Sequence, residues 1–208
     1  MKALFSVCVL LLAQTSSAQE VEKSPAPPSL ELSLKAGGHF PQLVSKLGTS
    51  FDGALKVGYA PFAGRQLQLF LDLGYSQPAH TTTATDPRLQ TSGADYSSTL
   101  TVADLHTTLG LSYFFTDPSG HFLPYAGLGF RAHFLRADVV GLGGADFGKN
   151  TETATRFGGT VFAGAGFKLG PGMLLGELNF AYVPVWEKVT GPSNVGSLGV
   201  LLGYGVLL

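Results

Sequence analysis

Cysteine is almost missing: one in 208 residues, at Cys8. That excludes a disulfide scaffold and a four-cysteine zinc site. Charge is scarce too. Asp, Glu, Lys and Arg supply 13% of the chain, about half the share of an ordinary soluble domain. Neither sign dominates, with 13 Lys and Arg against 14 Asp and Glu and a formal net charge of -1. Neutralising phosphates takes a basic excess, so nucleic-acid binding is excluded. Past the N-terminus no apolar run reaches the ~20 residues of a membrane-spanning helix. Yet 45% of the residues are hydrophobic and 28 are glycine. An apolar, charge-poor, glycine-rich chain without such a run points to strands. Its length suits one ordinary domain, or at most two small ones.

The first residues read as an address. Lys2 gives a positive start, residues 3–13 form an apolar run of 11, and QTSSA follows, with Ser16 and Ala18 where a signal peptidase reads. Residues 1–18 are therefore expected to be a cleaved secretory signal peptide. Cys8 lies inside the apolar run, so no lipoprotein signal is indicated, and the mature chain would lack cysteine. Removing Lys2 takes the net charge from -1 to -2. Residues 19–29 (QEVEKSPAPPS) form a polar, Pro-rich lead-in, expected to be extended in the periplasm.

From residue 30 the chain alternates with a period of two. Eight segments show it, at about 30–40, 51–59, 67–75, 105–115, 124–136, 155–169, 174–184 and 197–208. In the first, Leu30, Leu32, Leu34, Ala36 and Phe40 alternate with Glu31, Ser33, Lys35, Gly37 and His39. In the third, Leu67, Leu69, Leu71, Leu73 and Tyr75 alternate with Gln68, Phe70, Asp72 and Gly74. Successive residues of a strand face opposite ways, so each segment is a two-faced strand. The gaps alternate as well. The first, third, fifth and seventh hold 10, 29, 18 and 12 residues, and the second, fourth and sixth hold 7, 8 and 4. The fourth strand is allowed to begin as early as Thr99, with a bulge near Ala103. Long loops at one end and short turns at the other fit an all-β, eight-stranded antiparallel up-and-down transmembrane β-barrel over 30–208.

A soluble eight-stranded barrel has the same period with its apolar face inward. Three features favour the apolar face outward. The polar face mixes both charge signs with many Gly, Ser and Thr, which suits a crowded lumen. The segments are long enough for a tilted strand to cross a bilayer. Aromatics gather in two girdles on the apolar face. Phe40, Phe51, Tyr75, Phe134, Phe157 and Tyr182 lie toward the long loops; Tyr59, Tyr113, Phe115, Phe167 and Tyr204 lie toward the short turns.

The other face then lines an interior just wide enough for side chains. Its expected charge network is Glu31, Lys35, Asp52, Lys56, Asp72, Arg131, Arg156, Lys168 and Glu177. Centring each hairpin on its turn sets Lys56 opposite Asp72, Lys35 beside Lys56, His39 beside Asp52, and Lys168 diagonal to Glu177. Buried charges must be paired, so the expectation is a salt-bridge plug in place of a hydrophobic core. His106 and His133 fall nearly opposite each other, with Asp104 and His39 at similar height, a weak candidate for a metal or acid–base site. Otherwise no catalytic or metal residue and no cofactor is expected. His80, Asp86 and Ser92 hold the residue types of a triad within a polar, Thr-rich gap where such coincidences are common.

The signal peptide, the eight alternating strands, the Gly-rich LPYAGLGF at 123–130 and the last strand resemble the small outer-membrane β-barrel families of OmpA, OmpX and OmpW type. The resemblance covers about residues 30–208. It implies a bacterial outer-membrane location, contact with outer-membrane lipid and lipopolysaccharide, use of the barrel-insertion machinery, and a monomer. Those families usually end in an aromatic residue, where this chain has Leu208. Barrel-borne lipid A deacylases carry His-x-Ser-Asn; here Gly191-Pro192 precedes Ser193-Asn194, which does not support that activity. The expected role is a non-enzymatic envelope or surface protein. A narrow channel for small or apolar solutes and a lipid-modifying barrel enzyme are the alternatives.

Overall fold

The computed structural model describes residues 29–41, 47–61, 66–84, 96–117, 120–142, 146–187, 191–194 and 196–208. The expected signal peptide and residues 19–28 lie outside the described residues; Ser29, placed in the lead-in by composition, opens the first strand. The strands are β1 (Ser29–Phe40), β2 (Ser50–Ala60), β3 (Leu67–Ser76), β4 (Ala79–Ala84), β5 (Tyr96–Phe114), β6 (Phe122–Leu142), β7 (Asp146–Leu169), β8 (Gly172–Tyr182), β9 (Pro184–Glu187), β10 (Gly191–Asn194) and β11 (Leu198–Leu207). β9 and β10 form a hairpin of their own.

The remaining strands close into one antiparallel barrel. β3 and β4 are a single wall strand in two pieces, since both pair with β5 in one register, Ser76 opposite Asp104 and Ala79 opposite Thr101. The break falls at Pro78, which has no N–H for a ladder. Its carbonyl still accepts the Val102 N–H at 2.9 Å. β1 pairs with β11, and Leu30 and Leu208 exchange backbone bonds of 3.1 and 2.7 Å at the seam. One circuit of the wall runs Leu30, Tyr59, Leu69, Leu111, Leu128, Val161, Phe180, Leu198 and Phe40. It returns to β1 ten residues along, from 30 to 40, so eight strands close with a shear of ten. Every residue of that circuit is apolar or aromatic, and it belongs to the outer face.

That outer face is a belt of lipid-facing side chains. Leu34, Leu71, Leu109, Leu128, Phe130, Val161, Leu178 and Leu202 stand outward and exposed. Of the eleven expected girdle aromatics, ten are exposed and Phe40 is half-buried. The tyrosine hydroxyls turn to polar partners at the belt's edges. Tyr204 donates to the Leu169 carbonyl at 3.0 Å, and Tyr113 to Gln66 Oε1 at 3.1 Å. An apolar body with a wet tip is what a membrane interface selects.

Two expectations about the strands need correction. β5, β6 and β7 run 19, 21 and 24 residues, and with β4 they take in much of the third and fifth gaps. There the outward positions change from Leu105 and Phe134 to Thr99, Thr101, Arg136, Asp138, Thr151 and Thr153. In the extension the outer face is polar while Leu100, Val102, Leu135 and Ala137 point inward, so the outward apolar signal stops although the ladder continues. The bulge near Ala103 is also absent, because β5 pairs with β6 without a slip from Ser97 to Phe114. A register shift lies instead on β6, between Val140 and Leu142. At the opposite end, β7 and β8 meet in the turn Gly170–Pro171, where Gly170 takes φ 61°. Gly first with positive φ and Pro second suit a type II′ hairpin turn.

The lumen is not lined by charge alone, contrary to the expected salt-bridge plug. Leu47, Val102, Leu135, Ala137 and Val183 cluster toward the long-loop end. Phe114, Leu123, Tyr125, Met173 and Leu175 cluster toward the short turns. The charged groups lie between them. Strand geometry explains the miss: an inward Leu keeps the parity of an inward Lys, and only the outward face is uniformly apolar. Inward glycines make room for large neighbours. A Cβ at Gly74 would overlap the His106 ring, one at Gly110 Phe70, one at Gly127 Phe162, one at Gly164 Tyr125, and one at Gly203 Lys35.

Leu109 pairs with Leu71 and Phe130 midway between the girdles. Leu109→Arg is expected to cost about 2–4 kcal/mol of folding free energy in bilayers. Urea titration of refolding into lipid vesicles measures it; an unchanged midpoint would contradict the outward belt.

Candidate functional site in the barrel lumen

The inward positions build two polar tiers. In the tier nearer the short turns, Lys35 Nζ lies 3.0 Å from both Asp72 Oδ2 and Glu177 Oε1. The Tyr125 hydroxyl donates to Glu177 Oε2 at 3.1 Å. Lys56 Nζ lies 3.6 Å from Glu31 Oε2 and over the rings of Phe70 and Tyr125, at 5.3 and 5.7 Å from their centroids. Gln68 Nε2 donates to Glu31 Oε2 at 2.7 Å, and Ser112 Oγ donates to Gln68 Oε1 at 3.0 Å. Arg131 Nε donates to Thr108 Oγ1 at 2.8 Å. Glu31, Lys35, Lys56, Asp72, Arg131 and Glu177 are all buried. Burial at this density is tolerable because each charge meets an opposite charge, a hydrogen-bond partner or a ring face.

The tier nearer the long loops is built on histidine. His106 on β5 stands opposite His133 on β6, as the sequence placed them, with ring centroids 5.6 Å apart. Asp104 Oδ2 lies 2.8 Å from His133 Nδ1 and 3.7 Å from His106 Nδ1. The other His106 nitrogen, Nε2, is 3.9 Å from Asp52 Oδ1. His39 Nδ1 is 3.9 Å from Asp52 Oδ2 and shares a 3.1 Å hydrogen bond with Ser197 Oγ. Val102 and Leu135, two residues along the same strands, close this tier on the long-loop side. Asp104, His106 and His133 bring donor atoms within 4.8 Å of one another, a group suited to a metal ion among the described residues.

Several expected neighbours differ in detail. Lys56 does face Asp72 in the register, but the ammonium that reaches Asp72 is that of Lys35. Lys35 stands opposite Ala54, and Ser33 opposite Lys56, so the two lysines sit on a diagonal. His39 stands opposite Ser50, one inward step from Asp52. Glu177 stands opposite Gly164 and Lys168 opposite Met173, four residues apart along β7, and Lys35 engages the Glu177 carboxylate. Lys168 is half-buried near the short-turn mouth. Arg156, opposite His133, is half-buried and donates to the Thr155 carbonyl at 2.8 Å. Turn-centred registers err by about two residues, one inward position, and that shift accounts for the Lys35 and His39 displacements. Gln68, Ser112, Thr108, Tyr125, Asn179 and Ser197 also line the lumen. Their parity along the strands is the signal that places them there. Of the triad types in the third gap, His80 is on β4, and Asp86 and Ser92 lie outside the described residues.

The sequence matches no established family profile and no curated protein. Solved structures do match. A major outer membrane protein from Thermus thermophilus is similar at a TM-score of 0.56 and 14% identity, over 88% of this chain and 100% of that one. The N-terminal β-barrel domain of Pseudomonas aeruginosa OprF follows at 0.48 and 16%, over 86% and 97%. Neisserial surface protein A gives 0.43 and 16%, over 88% and 99%. With the lipid-facing belt, the likeness to the Thermus protein shows the fold of an outer-membrane β-barrel, here closed with eight strands.

Proposed function

We propose that the protein is a closed outer-membrane scaffold with a non-enzymatic envelope or surface role, held as a monomer among outer-membrane lipid and lipopolysaccharide. The observation that carries this reading is the filled lumen. Two cavities inside it, one beside Gln68 and Met173 and one between Lys35 and Arg131, measure about 10 Å³ each. That is about the room of one water molecule. The paired charges and the two apolar clusters stand across any axial path, which argues against a solute channel. The active surface is then the wall that β4, β5, β6 and β7 raise beyond the long-loop girdle. Its outward face is held by side-chain bonds between strands, Thr151 to Asp138 at 2.6 Å and Thr81 with Thr99 at 3.1 Å, and along β6 by Arg136 beside Asp138 at 3.4 Å. Hydroxyls and mixed charges on a firm sheet suit lipopolysaccharide sugars or other polar partners outside the cell.

In planar lipid bilayers the folded protein is expected to give no stable conductance steps, and regular single-channel openings would overturn the closed-scaffold reading. Unchanged lipid A mass profiles with and without the protein are expected; a shifted profile would favour an enzyme. Glu177 anchors both Lys35 and Tyr125. Glu177→Ala leaves the Lys35 charge with Asp72 alone and is expected to destabilise by about 3–5 kcal/mol. A fall in the temperature at which the heat-modified gel band appears measures this, and Arg136→Ala, on the exposed wall, should leave that temperature within a degree or two.

A further inference from the structure

We propose that Asp104, His106 and His133 form a binding site for one divalent transition-metal ion of the zinc class, enclosed in the barrel lumen. Bonds of ~2.0–2.1 Å in a tetrahedral site set neighbouring ligand atoms about 3.3 Å apart. The two measured spacings from Asp104 Oδ2, 2.8 Å to His133 Nδ1 and 3.7 Å to His106 Nδ1, bracket that value. A small movement of each ring meets it. The three residues are 1–3% exposed, yet Asp104 Oδ1, His106 Nδ1 and His133 Nε2 make no hydrogen bond. Buried atoms without partners are costly as they stand; an ion on Asp104 Oδ2, His133 Nδ1 and His106 Nδ1 would engage the unpartnered His106 Nδ1 and lie beside Asp104 Oδ1, while His133 Nε2 would point away from it. Two imidazoles and one carboxylate suit Zn²⁺ and its neighbours, not the hard cations that prefer oxygen alone.

The surroundings match a metal's outer shell. With His106 Nδ1 on the ion, its Nε2–H faces Asp52 Oδ1, now 3.9 Å away, the carboxylate partner that orients a ligating histidine. Asp52 in turn faces His39, which is bonded to Ser197. The charge count points the same way. Among the described residues the fully buried groups are five carboxylates, Glu31, Asp52, Asp72, Asp104 and Glu177, against Lys35, Lys56 and Arg131. With neutral histidines this buried set carries two negative charges in excess, which a divalent ion together with half-buried Arg156, opposite His133, offsets. Val102 and Leu135 cover the site on the long-loop side, so a bound ion would be screened from solvent and exchange slowly.

The test uses Co²⁺ and Zn²⁺ as probes. The full chain is refolded from urea into detergent with either ion, desalted, and its metal content measured. About one ion per barrel is expected, with visible absorption bands for Co²⁺ that Zn²⁺ in the refolding mixture suppresses. His106→Gln and His133→Gln should each lower metal content at least tenfold while keeping the heat-modifiable gel shift. His80→Gln, on β4 beyond the Val102 and Leu135 cluster, should keep full content. Folded wild-type barrel holding less than a tenth of an ion per chain would overturn the site, as would Gln variants that retain the metal. Should neither variant fold, wild-type protein decides: the heat-modification temperature should rise when refolding includes Zn²⁺ and fall back with chelator, and equal temperatures would overturn the proposal.

Discussion

Hydrocarbon offers a backbone amide no hydrogen-bond partner, so a chain without a long apolar helix can cross a bilayer only by pairing every strand edge. Closure of β1 on β11, with Leu30 and Leu208 exchanging both backbone bonds, is the contact on which the rest depends. Once eight strands close with a shear of ten, strand parity assigns each residue to lipid or lumen. Leu32 and Leu34 can then face lipid while Glu31, Ser33 and Lys35, their neighbours in sequence, sit fully buried.

The same closure fixes how much can fit inside. An eight-stranded lumen admits side chains and little else, and this one is filled by size matching. Long or aromatic residues lie over glycines of the adjoining strand, as Tyr125 does over Gly164 and His106 over Gly74. Glycine weakens a strand in isolation. Here its missing side chain lets a charged or aromatic neighbour lie flat and meet its partner. The abundance of glycine and the burial of Lys35 and Glu177 are two sides of one packing solution.

Much of this was legible in sequence because the lipid face enforces contrast. The alternation of Leu67 to Leu73 with Gln68 to Gly74 located β3, and comparable runs located the other membrane-crossing segments. Legibility ended where contrast ended. Thr99 and Thr101 continue β5, and Thr151 and Thr153 continue β7, but water on the outer side removes the need for apolar residues. The candidate site was half readable. His106 and His133 fell opposite each other from strand positions alone, whereas Glu177 was matched to Lys168 rather than Lys35. β1 and β8 lie on opposite sides of β11 in the wall and 142 residues apart in sequence, so their pairing across the lumen follows from closure, not from any hairpin. The inward apolar clusters are less legible for a related reason, since Leu123 and Leu175 keep the parity of the lumen face but match lipid-facing leucines in residue type.

The uneven height of the wall has a consequence for approach. β1, β2, β8 and β11 stop near the girdle, while β5, β6 and β7 continue well past it. The rim is thus a slope, not a ring. Among the described residues, a large neighbour drifting in the membrane plane meets a tall ladder on the β5–β7 side and only the short β9–β10 hairpin beside β8 and β11, so encounters with this barrel are directional, a form of orientation set by ladder length.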